Sequence, residues 1–288
     1  MSERAESRPN AGEREPGQPL PAITTIIRHG STDYKEIRDP LFQFDSAAAR
    51  EHPDAEHLDL NDKGIVEIRE SAEQLVRAID KDREVVLLVS SPNFRARSSE
   101  ILIEERLRRA GIEVLNPDDE VYIANNLRQI SFQDSDKRST WINADRQFRQ
   151  LDPSHTRMTP ERAHALIAAS LGKEITDIFT EDYRGISGRF HRYLRHMTNI
   201  ERMLSDETKG RLYGKRIRVV SLTHEELPAV FLRETFGMEE NMWRGQILEI
   251  DPSGTLGKDD EVSVTVTLHE KGPDTPRKTA EVILPYTR

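Results

Sequence analysis

Three short stretches of this chain are apolar and β-branched on both faces, and each stops abruptly in charged or hydroxyl residues. They are Ala22–Ile27, Glu84–Val89 and Lys215–Leu222. A strand apolar on both sides must be buried on both sides, which is the habit of parallel sheets covered by helices. After the first stretch, Asn61 stands where a helix N-cap belongs. Ile65, Ile68, Ala72, Leu75, Val76 and Ile79 follow at helical spacing. After the second, a helix is expected to run to about Arg109 and stop at Gly111, and Ile112–Leu115 reads as a short third strand. Alternation of this kind predicts an α/β fold, a three-layer sandwich with a mostly parallel central sheet.

Two regions depart from the alternation. A helical insertion is expected at about 135–210, with Thr159 capping a helix through Ala163, Leu166, Ile167 and Leu171 and a second helix over Ser187–Leu204. The last part, about 244–288, reads as antiparallel strands extending the sheet: Gln246–Ile250, Val262–Leu268 and Ala280–Leu284. Their edge offers a second copy of the chain a place to pair, so a homo-oligomer is one expectation. Residues 1–21 hold Pro9, Pro16 and Pro19 among mixed charges and are expected to form a disordered tail, leaving 22–288 as the α/β domain.

Composition narrows the function classes. Lys plus Arg is 42 and Asp plus Glu is 51, giving a formal charge of -9. An acidic chain is a poor general binder of nucleic acid, which needs clustered cations. There is no cysteine. Thiol catalysis, disulfides and thiolate metal sites are therefore excluded. No apolar run exceeds five residues, against about twenty for a spanning helix, so no membrane association is expected. The first twenty residues lack the apolar core of a signal peptide, and the cytoplasm is the expected location.

The three buried strands each lead into a basic group: Arg28 and His29, then Arg95, then His224. In a parallel sheet these ends share one edge, where open α/β sheets place their sites. Two guanidinium groups and two imidazoles meeting there suit a phosphoryl dianion. Arginine supplies forked donors matched to phosphate oxygens, and a neutral imidazole can attack phosphorus. Taken singly, each of the four reads as an ordinary surface charge; their joint placement is what points to a site. His191 and His196 are five residues apart, a poor spacing for a shared metal ion on one helix face.

Four segments, in order, resemble the motifs of the histidine phosphatase superfamily, the phosphoglycerate-mutase-like group. Arg28-His29-Gly30-Ser31-Thr32 resembles its RHG motif. Leu60-Asn61-Asp62-Lys63-Gly64 resembles its LTxxG helix start, Ser91-Pro92-Asn93-Phe94-Arg95-Ala96 its SPxxRA motif, and Ser221-Leu222-Thr223-His224-Glu225 the strand that delivers the second histidine. The resemblance implies a phosphatase in which His29 is the nucleophile that becomes a phosphohistidine, while Arg28, Arg95 and His224 bind the phosphoryl oxygens. It implies no metal and no organic cofactor, and a phosphorylated small molecule or phosphoprotein as substrate. Arg97 is expected to point away from the pocket.

One departure concerns the acid that protonates the leaving oxygen. Where the family reads Leu-x-Glu, this chain has Leu127-Arg128-Gln129. Glutamine has no carboxylic proton to give. The carboxyl of Asp134 or Asp136 can replace it, or that of Glu225 or Glu226 after the second histidine, as in the family's acid-phosphatase branch. Equally, Glu225 and Glu226 suit the positive start of a helix without any catalytic part. If no acid replaces it, the protein is a weak or inactive phospho-ligand binder. A missing acid matters least for acidic leaving groups such as acyl phosphates or pyrophosphates. A mutase fits less well, because Thr32, Tyr34 and Lys35 stand where the mutases carry Ser, Trp and Asn.

Overall fold

The computed structural model describes residues 20–32, 47, 59–117, 120–151, 158–204, 209–210, 212, 214–239, 241–252, 262–269 and 278–284. Residues 1–19 of the expected tail, and Tyr34 and Lys35, lie outside them. Pro21, the last residue of that tail, is tied down, since its carbonyl accepts from Arg216 Nε at 2.6 Å.

The elements run β1 (Ile23–Arg28), α1 (Asp62–Ala78), β2 (Glu84–Ser90), α2 (Phe94–Arg109), β3 (Tyr122–Ile123), a 3₁₀ turn (Asn125–Leu127), then α3 (Ser135–Leu151), α4 (Pro160–Ser170), α5 (Ile175–Ile178) and α6 (Tyr183–Thr198). They continue with β4 (Arg216–Thr223), α7 (Glu226–Phe236), β5 (Ile247–Pro252), β6 (Val262–His269) and β7 (Lys278–Leu284). The seven strands form one sheet in the order β3-β2-β4-β1-β5-β6-β7. The first four are parallel, and β5 to β7 add on antiparallel. The expected α/β architecture and C-terminal extension are therefore both present.

Side chains of a strand alternate between faces, and here both faces are buried. Ile26, Val85, Leu87, Ile217 and Val219 pack into one core with Phe190, Leu227, Val230 and Phe231. Ile27, Val86, Leu88, Val220 and Leu222 pack into the other with Ile65, Ile68, Leu75, Ile103 and Leu107 of α1 and α2. Helices cover each face, which makes the third layer.

Asn61 does cap α1, its Oδ1 accepting from Gly64 N at 2.9 Å. Thr159 caps α4. The expected strand at Ile112–Leu115 is corrected: it makes one bridge, Val114 to Val86. Past that bridge the side chain of Asn116 takes over, accepting from Leu88 N and donating to Leu88 O at 2.8 and 2.9 Å. An amide thereby substitutes for a stretch of ladder, and the sheet is resumed by Tyr122–Ile123. The helix expected over Ser187–Leu204 begins earlier, at Tyr183, capped by Asp182, and gives way to a 3₁₀ turn at Ile200.

Register sets the position of everything that follows. Arg28 is level with Thr223, and Ser90 with Leu222. The parallel ladder carries on for one bond beyond the strands, His29 N to Thr223 O and Ser91 N to Leu222 O, each 3.0 Å.

Candidate active site

Those two extra bonds fix His29 and Ser91 at the same carboxyl edge of the sheet. Two helices begin there, α2 with Arg95 in its first turn and α7 at Glu226. Helix starts favour anions, because their N–H groups point outward unpaired.

The His29 loop is held from below by close backbone contact. A Cβ on Gly30 would lie 2.4 Å from Gly64 O, and one on Gly64 would lie 2.1 Å from Ser31 O. The glycines of the first two motifs are thus explained by one contact: the loop lies directly on the first turn of α1. Glu67, one turn further along, accepts from both the N–H and the hydroxyl of Ser31 at 2.8 Å. Arg244 donates to the same hydroxyl at 3.0 Å.

His29, Arg95 and His224 are all buried. His29 Nδ1 lies 2.7 Å from the carbonyl of Gly30, and that partner assigns the ring proton to Nδ1. The Nε2 lone pair is then turned to Arg95, whose Nε–H donates to it at 3.0 Å. Arg95 Nη2 lies 3.3 Å from His224 Nδ1, and His224 Nε2 lies 2.7 Å from Ser91 Oγ. The two imidazoles stand 4.9 Å apart, edge to face. Arg28 donates to Met242 O at 2.6 Å and pairs with Glu225. All four expected phosphate-binding residues are therefore at this one edge.

Burial, followed by the charge of Arg95, pushes the His29 imidazole well below its ordinary pKa. His224 is lowered in the same way, by burial and then by Arg95 and Arg28. Both rings are held neutral. That is the state in which a histidine nitrogen is a nucleophile.

The candidate acids separate cleanly. Asp134 is exposed and caps the start of α3, its Oδ1 accepting from Lys137 N at 2.7 Å, and Asp136 is exposed on the same turn. Glu225 is half-exposed and bound to Arg28. Glu226 is buried, and its Oε2 has no hydrogen-bond partner. Burial, then the neighbouring Glu225 charge, raises its pKa to about 7. Burial thus outweighs the helix start, which alone would favour the carboxylate. Of the candidate acids, Glu226 is thus one whose carboxyl is shifted toward keeping its proton near neutral pH.

Gln129 also reaches the site: its Oε1 accepts from Arg95 Nη2. The segment that delivers it is clamped at three successive carbonyls. Arg189 Nη1 donates to Asn126 O and Arg128 O at 2.7 and 2.9 Å, and Thr223 Oγ1 donates to Leu127 O at 2.9 Å. Arg189 also pairs with Glu181 at 2.6 Å. Arg189, on α6, is therefore a buried brace for this segment. Arg97 sits 5.6 Å from the ring of Phe94. Glu67, Ser91 and the carbonyl of Met242 were not singled out from sequence. Ser91 alone carried a signal, as the first residue of the third motif. Among the described residues no group of three or more His, Cys, Asp or Glu is arranged to hold a metal ion. No helix among them is long and apolar enough to cross a membrane.

Comparison with known proteins finds no matching family model and no matching curated protein. Solved structures do resemble the chain. A phosphoglycerate mutase from Bacillus anthracis str. Sterne is 13% identical over 91% of this chain and 93% of its own, with a TM-score of 0.43. A mycobacterial glucosyl-3-phosphoglycerate phosphatase, solved with VO3, is 15% identical over 81% and 94%, with a TM-score of 0.43. A mutant phosphoserine phosphatase from Entamoeba histolytica, solved with phosphoserine, is 14% identical over 86% and 95%, with a TM-score of 0.41. At such identities and scores, what the pocket does must be judged from its own side chains.

Proposed function

We propose that this protein is a phosphatase of the histidine type, which hydrolyses a phosphoryl group through a phosphohistidine on His29. One observation carries the reading: a single guanidinium, that of Arg95, bonds both His29 Nε2 and His224 Nδ1. A group in that position is replaced in its contacts by phosphoryl oxygens when a substrate enters, and remains as their counter-charge.

The chemistry balances with the groups at hand. His29 Nε2 forms a bond to phosphorus as the bond to the leaving oxygen breaks. The electron pair departs with that oxygen, which takes the proton of Glu226. Water then attacks phosphorus, the N–P bond returns its pair to Nε2, and one water proton restores Glu226. His29 needs no base, because its Nε2 carries no proton to remove. Arg28 and His224 complete the oxyanion contacts, with Arg28 oriented by Glu225 and Met242 O.

The decisive experiment combines a phosphate-release assay on a panel of phosphorylated small molecules and phosphopeptides with acid-labile labelling. Full turnover of an aryl phosphate by His29→Ala would falsify the reading. Gln129 in the usual acid place favours a second reading, a phospho-ligand binder without turnover. It is supported if phosphate raises the melting temperature while no substrate in the panel is hydrolysed. A mutase would keep the phosphoryl group on organic product, and stoichiometric inorganic phosphate argues against it.

A further inference from the structure

We infer that Gln129 holds the departing oxygen of the substrate and suits the site to phosphoryl donors whose leaving group departs as an anion, a carboxylate or a second phosphate. The inference rests on the phosphatase reading above and narrows its substrate class.

The geometry is that of a braced donor. Gln129 Oε1 is engaged by Arg95 Nη2, the same nitrogen that lies 3.3 Å from His224. An amide that accepts through its Oε1 still has the two N–H donors of its Nε2 to give. That nitrogen has no partner among the described residues. The carbonyls of residues 126, 127 and 128 are all bound, so the side chain is delivered by a rigid segment rather than a mobile one. Two neutral donors, this N–H and the buried carboxyl of Glu226, then serve the leaving oxygen. Neither repels negative charge there, whereas a glutamate at 129 would.

With an acyl phosphate the step needs no proton on the leaving group. His29 Nε2 bonds to phosphorus, the P–O bond breaks, and its pair leaves on the carboxylate oxygen, which accepts the Gln129 N–H. Water then releases the phosphoryl group as dihydrogen phosphate, both water protons staying on it, and neutral His29 is regenerated.

The test compares acetyl phosphate, inorganic pyrophosphate and glycerol 2-phosphate with the full chain and with Gln129→Glu. The wild type is expected to prefer the first two. Gln129→Glu should lower kcat/KM for them by about tenfold to a hundredfold, the scale of a hydrogen bond to a charged group. The value for glycerol 2-phosphate should fall less or rise, so that the ratio changes by at least about tenfold. Should Gln129→Glu fail to fold by its melting curve, Gln129→Ala removes the same donor and should lower kcat on acetyl phosphate more than on glycerol 2-phosphate. An unchanged ratio, with hydrolysis still abolished by His29→Ala, overturns the inference and leaves the phosphatase intact. If the wild type releases phosphate from none of the three but hydrolyses another member of the panel above, the inference falls alone; if it hydrolyses no member of the panel, both fall.

Discussion

At the scale of single residues, the site is a set of neutral groups around cations. Two imidazoles have been pushed down and one carboxyl pushed up, all three mainly by burial. The pH profile of kcat/KM should therefore have its acid limb well below the ordinary histidine value of 6.5 and its alkaline limb near pH 7, where Glu226 loses its proton. Glu226→Gln should abolish the alkaline limb and lower kcat on alkyl phosphates by roughly 10²- to 10⁴-fold. On aryl phosphates the loss should be smaller, because that leaving oxygen needs a proton less. Binding has its own signature. A phosphate or vanadate dianion beside His224 favours the charged ring and raises its pKa. Calorimetry at pH 6 to 7 in buffers of different ionisation enthalpy should therefore report proton uptake by the protein on binding, and less of it in His224→Gln, where Glu226 still responds.

The contact between the His29 loop and α1 is where the scale of elements matters. Gly64 lies against the backbone of the His29 loop, so the Cβ of Gly64→Ala must displace Ser31 or the start of α1. Overpacking of this kind typically costs 1–3 kcal/mol. The expected outcome is a lowered urea midpoint together with lost turnover, because the segment that moves carries His29. Arg189 braces the opposite wall. Arg189→Met removes the near partner of Glu181, leaving it only Arg128 at 4.0 Å, and frees two carbonyls, a loss of about 1–3 kcal/mol for acceptors left unsatisfied. Chemical denaturation would measure it. The motif elements were legible in the sequence because their periodicity and caps are local: the β1 and β4 runs, Asn61 at α1 and Thr159 at α4. The short third strand was not legible. Ile112–Leu115 is as apolar as a strand should be, yet the Asn116 side chain took over its bonds to β2. Nothing in the composition of α6 marks Arg189 as buried where Arg184 and Arg192 are exposed, since its partners, Glu181 and two carbonyls of the 125–128 segment, are fixed only by the tertiary fold. The singling out of Glu226 likewise needed coordinates, because burial, not residue type, is what raises its pKa.

For the molecule as a whole, the perturbed groups couple the pocket to stability. Glu226 has its folded pKa raised from 4.5 to about 7. Its favourable contribution is complete below pH 4.5 and is lost as pH rises through 7. His29 and His224 have folded values below 6.5, so theirs is complete above pH 6.5 and is lost as pH falls through the folded values. Below pH 6.5 the two histidines therefore oppose Glu226, and only the glutamate favours the acid side. Between about pH 5 and 8 the urea midpoint should rise more, or fall less, with pH in Glu226→Gln than in the wild type, and an identical pH dependence in both would assign the effect to other groups.

Strand order also has a consequence for synthesis. β4 lies between β1 and β2, though it follows them in the chain by well over a hundred residues. A nascent chain emerging at about 5–20 residues per second presents its first two strands long before the partner that must wedge between them has been translated. Until then their inner edges are unpaired, and His29 and Arg95 sit on separate pieces. Chaperone capture of this protein on the ribosome should therefore persist until the codons for β4 have been read, and no partial product ending before Thr223 can carry the chemistry.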